Sequence, residues 1–212
     1  MATAPEGLWK TFAASTLVLL VGLVLLLQTT EGGSAFTTET LRRTSVDRQA
    51  QTIPAFTVKD SEGRIVELQQ ILGNDGRVRI VDFIYTRCQT VCTSQGAVFQ
   101  RLQQQIVDRG LGRQVGLLSI SFDPENDDAA ALQTYAARMR ADAATWRIVT
   151  LASTQDRRQL LDAFGIMVIA TPRGEFEHNA SLQIVDAHGM LIRIVDFDDI
   201  DLALDVAVVA AR

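Results

Sequence analysis

Two cysteines four residues apart, Cys88 and Cys92, have the clearest capacity for chemistry in this chain, and its 212 residues contain no other cysteine. At positions i and i+4 of a helix the two Cβ atoms would lie about 5–6 Å apart, so the thiols could hold one soft metal ion or form a slightly wide disulfide. A helix N-terminus, with its unpaired N–H groups, favours the thiolate, which is the form that binds metals and attacks disulfides. The pair therefore predicts a metal site or a redox-active dithiol.

A purely structural disulfide is the main alternative for this pair. The stabilisation from a crosslink grows with the loop that it closes, so a bridge across so short a loop contributes little. Haem attachment requires C-x-x-C-H, whereas Cys92 is followed by Thr93. A zinc finger requires two histidines three to five residues apart, whereas His178 and His188 are ten apart. We therefore expect a functional pair.

The elements that must position the cysteines follow an alternating pattern of strands and helices. The predicted strands are 55–58, 65–66, 78–84, 115–121, 146–149, 181–185 and 191–195. One predicted helix follows the cysteines and ends near Gly110, and three more cover 129–140, 154–165 (capped by Thr154) and 200–210. Strand 78–84 is almost continuously apolar, which is typical of a strand covered on both faces. Alternation closed by an antiparallel hairpin predicts an α/β thioredoxin-like fold, with a central mixed sheet flanked by helices.

His178 is the third candidate ligand. It lies in a predicted loop that leads into the strand from Ser181, and in a thioredoxin-like sheet this loop lies beside the helix that carries the cysteines. Two thiolates and an imidazole suit Cu(I), and also Cu(II) with one added ligand. A solvated loop histidine is an equally good interpretation of His178. The other histidine, His188, falls in a predicted hairpin turn, where we expect it to be exposed.

The N-terminus contains twenty uncharged residues, 11–30, preceded by Trp9 and Lys10. Twenty helical residues span about 30 Å, the thickness of the hydrocarbon core of a bilayer. A cleaved signal peptide is the competing interpretation, because small residues follow at 33–35. We favour an uncleaved anchor over residues 1–30, with a single pass through a bacterial inner membrane and the following domain facing the periplasm.

The rest of the chain is divided by composition. Residues 31–52 are polar and predict a linker, and residues 53–212 predict one domain of ordinary size. The net charge is −5, and Lys and Arg do not cluster with aromatic residues. Nucleic-acid binding is therefore not expected.

Three segments together resemble the Sco/SenC family of copper chaperones. They are V-D-F-I-Y-T-R-C at 81–88 with Cys92, S-I-S-F-D-P-E at 119–125 with Asp127 and Asp128, and His178 followed by L-Q-I-V-D-A-H-G at 182–189. The resemblance runs from about Ile53 to the C-terminus, and the N-terminal anchor is consistent with it.

The resemblance implies a thioredoxin-like fold and delivery of copper to the dinuclear copper centre of cytochrome c oxidase. Cys88, Cys92 and His178 match the copper ligands of the family. The implied partners are the copper-bearing oxidase subunit or another copper chaperone, and the membrane through the N-terminal helix. Asp123 matches a conserved D-P loop and is expected either near the metal or facing a partner, with a capping role as an equal alternative.

The sequence departs from the family pattern beside each ligand. Gln89 and Thr93 follow the two cysteines where the family usually has proline, and Glu177 and Asn179 flank His178 where it often has aspartate and serine. Because proline would fix the backbone angle φ, its absence leaves the cysteine loop freer.

A second function remains open alongside copper delivery. A membrane-tethered thiol–disulfide oxidoreductase would need only Cys88 and Cys92 as its catalytic pair. The spacing C-x-x-x-C, instead of C-x-x-C, and the absence of proline directly before Ser181 speak against it. Both functions could coexist, because the thiols must be reduced before copper binds. We expect the main function to be that of a metallochaperone and not that of an enzyme.

Overall fold

The computed structural model describes residues 6–29, 38–87, 91–171 and 176–212. The chain divides into two compact units, Met1–Ser45 and Val46–Arg212. The first unit contains helix α1 (Glu6–Thr29). Within α1, the stretch Trp9–Gln28 has a mean hydropathy of 2.2 and is long and apolar enough to cross a membrane.

A mixed sheet of eight strands forms the centre of the second unit. Its strands are β1 (Gln51–Thr52), β2 (Thr57–Asp60), β3 (Ile65–Glu67), β4 (Val78–Ile84), β5 (Val115–Ser121), β6 (Trp146–Leu151), β9 (Ser181–Val185) and β10 (Met190–Asp196). The spatial order is β1-β10-β9-β4-β5-β6-β2-β3. β4, β5 and β6 are parallel, and the other neighbours pair antiparallel. A separate two-stranded sheet pairs β7 (Val168–Ala170) with β8 (Phe176–His178).

Helices cover both faces of the sheet. In the second unit they are α3 (Leu68–Gly73), α4 (Val91–Asp108), α5 (Ala129–Met139), α6 (Arg157–Phe164) and α7 (Ile200–Ala210), and α2 (Thr38–Arg48) runs across the boundary between the two units. α3 and α6 contribute to one core, and α4, α5 and α7 contribute to the other. The arrangement confirms the predicted α/β class with a central mixed sheet flanked by helices.

The two cores explain why β4 lacks a polar face. Val81 and Phe83 belong to the core on the α3 and α6 side, whereas Ile80 and Ile84 belong to the core under α4, α5 and α7. Successive side chains of a strand point to opposite faces, so both sets are buried. Each such side chain contributes about 1.5–3 kcal/mol when it is fully buried. The structure therefore confirms the prediction that strand 78–84 is covered on both faces.

Two local predictions are wrong. Ser153, and not Thr154, is the cap after β6: its Oγ accepts the N–H of Gln155 at 3.2 Å, and Thr154–Asp156 form a short 3₁₀ turn before α6. His178 ends strand β8 and does not lie in a loop. β8 has only three residues, two of them polar, which is too few for a hydrophobic periodicity to predict a strand. It is a strand because it pairs with β7.

The compact second unit begins before the expected boundary at Ile53. Within 31–52, the segment expected to be a linker, α2 is helical and Val46 is only 1% exposed in the core. β1 pairs with β10, with Gln51 opposite Leu191. Residues 46–52 are mostly polar, and contacts with the rest of the second unit, which local composition does not reveal, hold them in place.

Candidate metal site

The cysteine segment connects the central strand to a long helix. β4 ends at Ile84, and 85–87 lead directly into Cys88. α4 begins at Val91, so Cys92 lies in its first turn, as predicted. Cys88 and the two residues after it lie outside the described part of the chain. The first turn of a helix presents unpaired N–H groups and the positive end of the dipole, which stabilise a thiolate.

His178 is half-buried at the end of β8, opposite Val168 of β7. Its Nδ1 lies 3.2 Å from the backbone carbonyl oxygen of Asn179. A carbonyl oxygen only accepts, so Nδ1 carries a proton, and in the neutral form of the ring Nε2 then carries the lone pair. The ring also contacts Phe122 edge to face, with centroids 5.4 Å apart. A hydrogen bond to the backbone and a contact with Phe122 thus orient the imidazole of His178.

Tyr85 joins the strand of His178 to the segment that leads into Cys88. It lies three residues before Cys88, and its hydroxyl donates to the carbonyl oxygen of Phe176 at 3.1 Å and accepts the N–H of Phe176 at 3.3 Å. Phe176 lies on β8 two residues before His178. One side chain therefore holds the entrance to the cysteine loop against the strand of the histidine.

An aromatic cluster surrounds this junction. The Tyr85 ring contacts Phe176 at 5.3 Å and Phe122 at 5.7 Å between centroids, and Phe122 and Phe176 lie 5.5 Å apart. Edge-to-face pairs at such distances each add about 0.5–1.5 kcal/mol beyond burial. None of these three residues has a role predicted from the sequence, although aromatic residues that directly follow the apolar strands β4 and β5 are a visible signal.

The loop after β5 holds the two residues that precede Cys88. Asp127 is fully buried and accepts the N–H of Thr86 at 2.9 Å and its hydroxyl at 2.6 Å. Asp123, 1% exposed, accepts from Arg87 Nη2 at 3.1 Å. Its burial means that Asp123 does not face a partner. The capping role belongs instead to Asp128, whose side chain accepts the N–H of Ala131 at the start of α5.

Asp82 is a buried carboxylic acid in the middle of β4. It is fully buried, and neither carboxylate oxygen has a hydrogen-bond partner among the described residues. Burial raises the pKa of Asp82 to about 7. The Ser119 hydroxyl on β5 offsets part of this effect without completing a hydrogen bond to the carboxylate, and it accepts the indole N–H of Trp146 at 2.9 Å. Asp82 is therefore largely protonated below neutral pH.

The described residues do not themselves assemble a complete metal centre. Without Cys88 and the Cys92 side chain, no three His, Cys, Asp or Glu side chains of the described ranges come together as ligands. The meeting of both cysteines with His178 therefore stays a prediction. His188 is exposed in the turn between β9 and β10, where its N–H donates to Asp186 at 2.9 Å, as expected for a turn residue.

Comparison with known proteins gives a consistent result. The sequence model of the SCO1/SenC family matches residues 44–207. A SCO1 protein homolog from Bacillus subtilis is 27% identical over 143 residues, which cover 66% of this chain and 72% of the relative.

Solved structures share the architecture. A SCO1/SenC family lipoprotein from Bacillus anthracis superimposes with a TM-score of 0.69 at 22% identity, covering 78% of this chain and 99% of that one. BsSco, described as a member of the Sco family of cytochrome c oxidase assembly proteins and as containing a disulfide switch, gives 0.65 at 24% identity over 77% and 95%. ScoI from Arabidopsis thaliana, solved with copper bound, gives 0.63 at 18% identity over 74% and 96%. The fold is thioredoxin-like, as predicted, and the chain belongs to the SCO1/SenC family.

Proposed function

We propose that this chain binds a copper ion through Cys88, Cys92 and His178 and delivers it to the copper-bearing subunit of a cytochrome c oxidase or to another copper chaperone. The observation that carries the proposal is the bridge made by Tyr85. Its hydroxyl is hydrogen-bonded to the backbone of Phe176, so the strand of His178 is held against the segment that leads into Cys88. This contact supports a site in which His178, 86 residues after Cys92 in the sequence, meets the two cysteines.

The chemistry of the donors fits copper. Thiolates are soft ligands that select Cu(I), and an imidazole adds a donor that suits both oxidation states. The start of α4 favours the thiolate of Cys92. In the neutral form of the His178 ring, donation from Nδ1 to the Asn179 carbonyl leaves the lone pair on Nε2, where a metal could bind. A backbone partner of this kind fixes the orientation of a metal-binding imidazole.

The apolar surroundings of His178 support the same function. Phe122 is fully buried against one edge of the imidazole, and Phe176 packs on Phe122. Apolar groups around a metal site restrict access of solvent and stabilise ligand–metal bonds. The copper ion is a cargo here, so the role of the protein is to hold it in a protected site and release it to an acceptor with matching ligands.

The similar proteins support both the choice of copper and the link to cytochrome c oxidase. ScoI from Arabidopsis thaliana has been solved with copper bound, and BsSco is described as a member of a family of cytochrome c oxidase assembly proteins. By inference from these relatives, we assign copper as the ligand of this chain and oxidase maturation as its purpose.

Copper loading tests the proposal. The full chain in detergent would be reduced, loaded with Cu(I), desalted and assayed for copper per chain, for wild type, His178→Ala and His188→Ala. We expect about one copper ion per wild-type chain, and a loss of affinity of at least about 10–100-fold in His178→Ala. His188→Ala is the matched control, because it removes the other histidine from an exposed turn. No copper on the wild type would contradict the proposal.

A thiol–disulfide oxidoreductase is the second candidate. It is favoured by the position of Cys92 in the first turn of α4 and by the disulfide switch described for BsSco. Such an enzyme would use Cys88 and Cys92 alone. Reduction of a disulfide substrate at equal rates by wild type and His178→Ala, without copper retention, would favour this candidate over copper delivery.

The N-terminal helix is proposed to anchor the protein. We place Trp9–Gln28 across a bacterial inner membrane and the second unit in the periplasm, because the stretch is long and apolar enough to span a bilayer. Intact-mass measurement of the protein from membranes would separate the alternatives. A mass that includes residues 1–30 supports the anchor, and loss of these residues indicates a cleaved signal peptide.

A further inference from the structure

We infer that Asp127 is a positioning residue for the first cysteine: by holding Thr86 it determines where the chain leaves β4 and enters the loop of Cys88. The inference rests on the proposed role of Cys88 as a copper ligand. It assigns a function to a fully buried carboxylate.

The hydrogen bonds of Asp127 carry the inference. Its Oδ2 accepts the N–H of Thr86 at 2.9 Å and the hydroxyl of Ser121 at 2.5 Å, and its Oδ1 accepts the hydroxyl of Thr86 at 2.6 Å. The carboxylate is fully buried. Both oxygens of Asp127 are therefore used, and bonds to a buried carboxylate are stronger than those between neutral groups.

The partners of Asp127 lie at the ends of two adjacent parallel strands. Ser121 is the last residue of β5 and pairs with Ile84, the last residue of β4. Thr86 lies two residues beyond Ile84, where the ladder between the strands has ended. Asp127 thus holds the chain just beyond the last residue that is paired within the sheet.

Thr86 is fixed at each of its polar groups. Its N–H and hydroxyl are bonded to Asp127, and its carbonyl oxygen accepts from Arg138 Nη2 of α5 at 3.2 Å. Only Arg87 separates Thr86 from Cys88, and two extended residues span at most about 7 Å. A shift or rotation of Thr86 is therefore transmitted almost directly to Cys88.

Asp127 is itself held in place before any ligand binds. Its N–H and that of Asn126 donate to the Asp123 carbonyl oxygen at 2.9 and 3.0 Å, which closes the turn after β5. The next residue, Asp128, caps α5 through the N–H of Ala131. The loop is thus fixed between a strand and a helix, which makes it a rigid support for Thr86.

Three variants of the full chain in detergent would separate positioning from general stability. Asp127→Ala removes all three hydrogen bonds. Asp127→Asn is the conservative variant, because its amide oxygen can still accept the Thr86 N–H while its NH₂ donates to the Thr86 hydroxyl, which can accept. Asp128→Ala is the matched control: it removes the same charge one residue away and weakens the α5 cap, but it leaves Thr86 bonded to Asp127.

Two readouts are measured on each variant. The first is Cu(I) affinity. The second readout, which needs no metal, is the equilibrium constant for reduction of the Cys88–Cys92 disulfide by dithiothreitol. The two thiols of the reagent supply both electrons and are themselves oxidised to a disulfide. A loosened cysteine loop lowers the effective concentration of one thiol toward the other and so favours the reduced form.

The expected pattern is specific to positioning. In Asp127→Ala we expect a loss of copper affinity of about 10–100-fold and a shift of about tenfold toward the dithiol. Asp127→Asn should restore both readouts to within about twofold of the wild type, and Asp128→Ala should leave both unchanged even where it lowers the melting temperature. Wild-type values for a folded Asp127→Ala would overturn the inference.

Failure of the inference and failure of the proposed function are distinguishable. If the wild type retains no copper, copper delivery is contradicted and the disulfide equilibrium still decides the role of Asp127. If Asp127→Ala does not fold, Thr86→Val removes only the hydroxyl bond and should shift both readouts in the same direction by a smaller factor, with Thr86→Ser as its rescue. No shift in Thr86→Val would then contradict the inference.

Discussion

A buried charged side chain holds the backbone at each end of β4, but the two side chains differ in how far away in the sequence their partners lie. At the amino end, Arg79 is 1% exposed, its Nε donates to the Ile71 carbonyl oxygen, and its Nη2 pairs with Asp75, all within eight residues of sequence. At the carboxyl end, Asp127 holds Thr86 across a separation of 41 residues. The first group closes a local structure, and the second joins two segments at the entrance to the cysteine loop.

This difference separates stability from function along one strand. Burial and the neighbouring Arg77 lower the pKa of Arg79 to about 10, so Arg79 remains charged at neutral pH and needs its partners. Gly116 on β5 provides the space, because a Cβ there would collide with Nη1 of Arg79. Changes at this end should alter the free energy of unfolding, whereas changes at the carboxyl end should alter the metal site.

The largest expected effect is that of Arg79→Ala. Removing Arg79 takes away its pairing with the half-buried Asp75 and its hydrogen bond to Ile71 and leaves a cavity, which together should destabilise the protein by about 2–5 kcal/mol. Chemical denaturation would measure this loss. The copper affinity of the remaining folded protein should stay within about twofold of the wild type, since Arg79 lies at the far end of the strand from the cysteines. A loss of affinity as large as that of Asp127→Ala would contradict the division between the two ends.

Asp82, in the middle of β4, should make the free energy of unfolding depend on pH, with an effect smaller than that of Arg79→Ala. Its pKa is raised from 3.8 in the unfolded chain to about 7 in the fold, mainly by burial. The folded state therefore holds a proton that the unfolded state loses above pH 4, and the free energy of unfolding should fall as the pH rises from about 4 to about 7, then become constant.

Asp82→Asn should remove this dependence, because its side chain does not titrate. The difference in free energy of unfolding between Asp82→Asn and wild type should grow in favour of the variant from pH 4 to pH 7, by on the order of a few kcal/mol. Denaturation curves at several pH values measure it. Parallel pH profiles for the two proteins would show that Asp82 titrates in the fold as it does in the unfolded chain.

The smallest expected effect on stability is that of Tyr85→Phe. The change removes the hydroxyl that bridges to Phe176 and keeps the ring in the aromatic cluster. We expect a loss of about 1 kcal/mol in stability. Copper affinity should fall by about 3–10-fold, because the strand of His178 is held less firmly. Phe99 pairs with Trp146 in the other core, and Phe99→Leu is a control that should lower stability without lowering affinity.

Much of the fold could be predicted because the pattern is local. Strands β4 and β5 have the predicted bounds, since both are short apolar runs buried on both faces. α6 ends at Phe164 and is capped by Gly165, the predicted end of this helix, where φ is 65° and glycine is favoured. The start of α4 near the cysteines was also predictable, because helix follows strand in such folds.

The missing parts of the site depend on contacts between distant segments. Tyr85 and Phe176 are 91 residues apart, and Thr86 and Asp127 are 41 apart. A three-residue strand such as β8 forms only because β7 pairs with it. Residue types and spacing identified the three ligand candidates, but they carried no information on which side chains hold the ligands in position.

X-ray absorption at the copper edge of the Cu(I)-loaded full chain tests the central claim most directly, because it counts the atoms bound to the metal. The account predicts two sulfur ligands and one nitrogen ligand of the imidazole type in the wild type and in His188→Ala, with the nitrogen lost in His178→Ala. A copper ion bound by sulfur alone in the wild type, or an unchanged nitrogen signal in His178→Ala, would contradict the Cys88, Cys92 and His178 site.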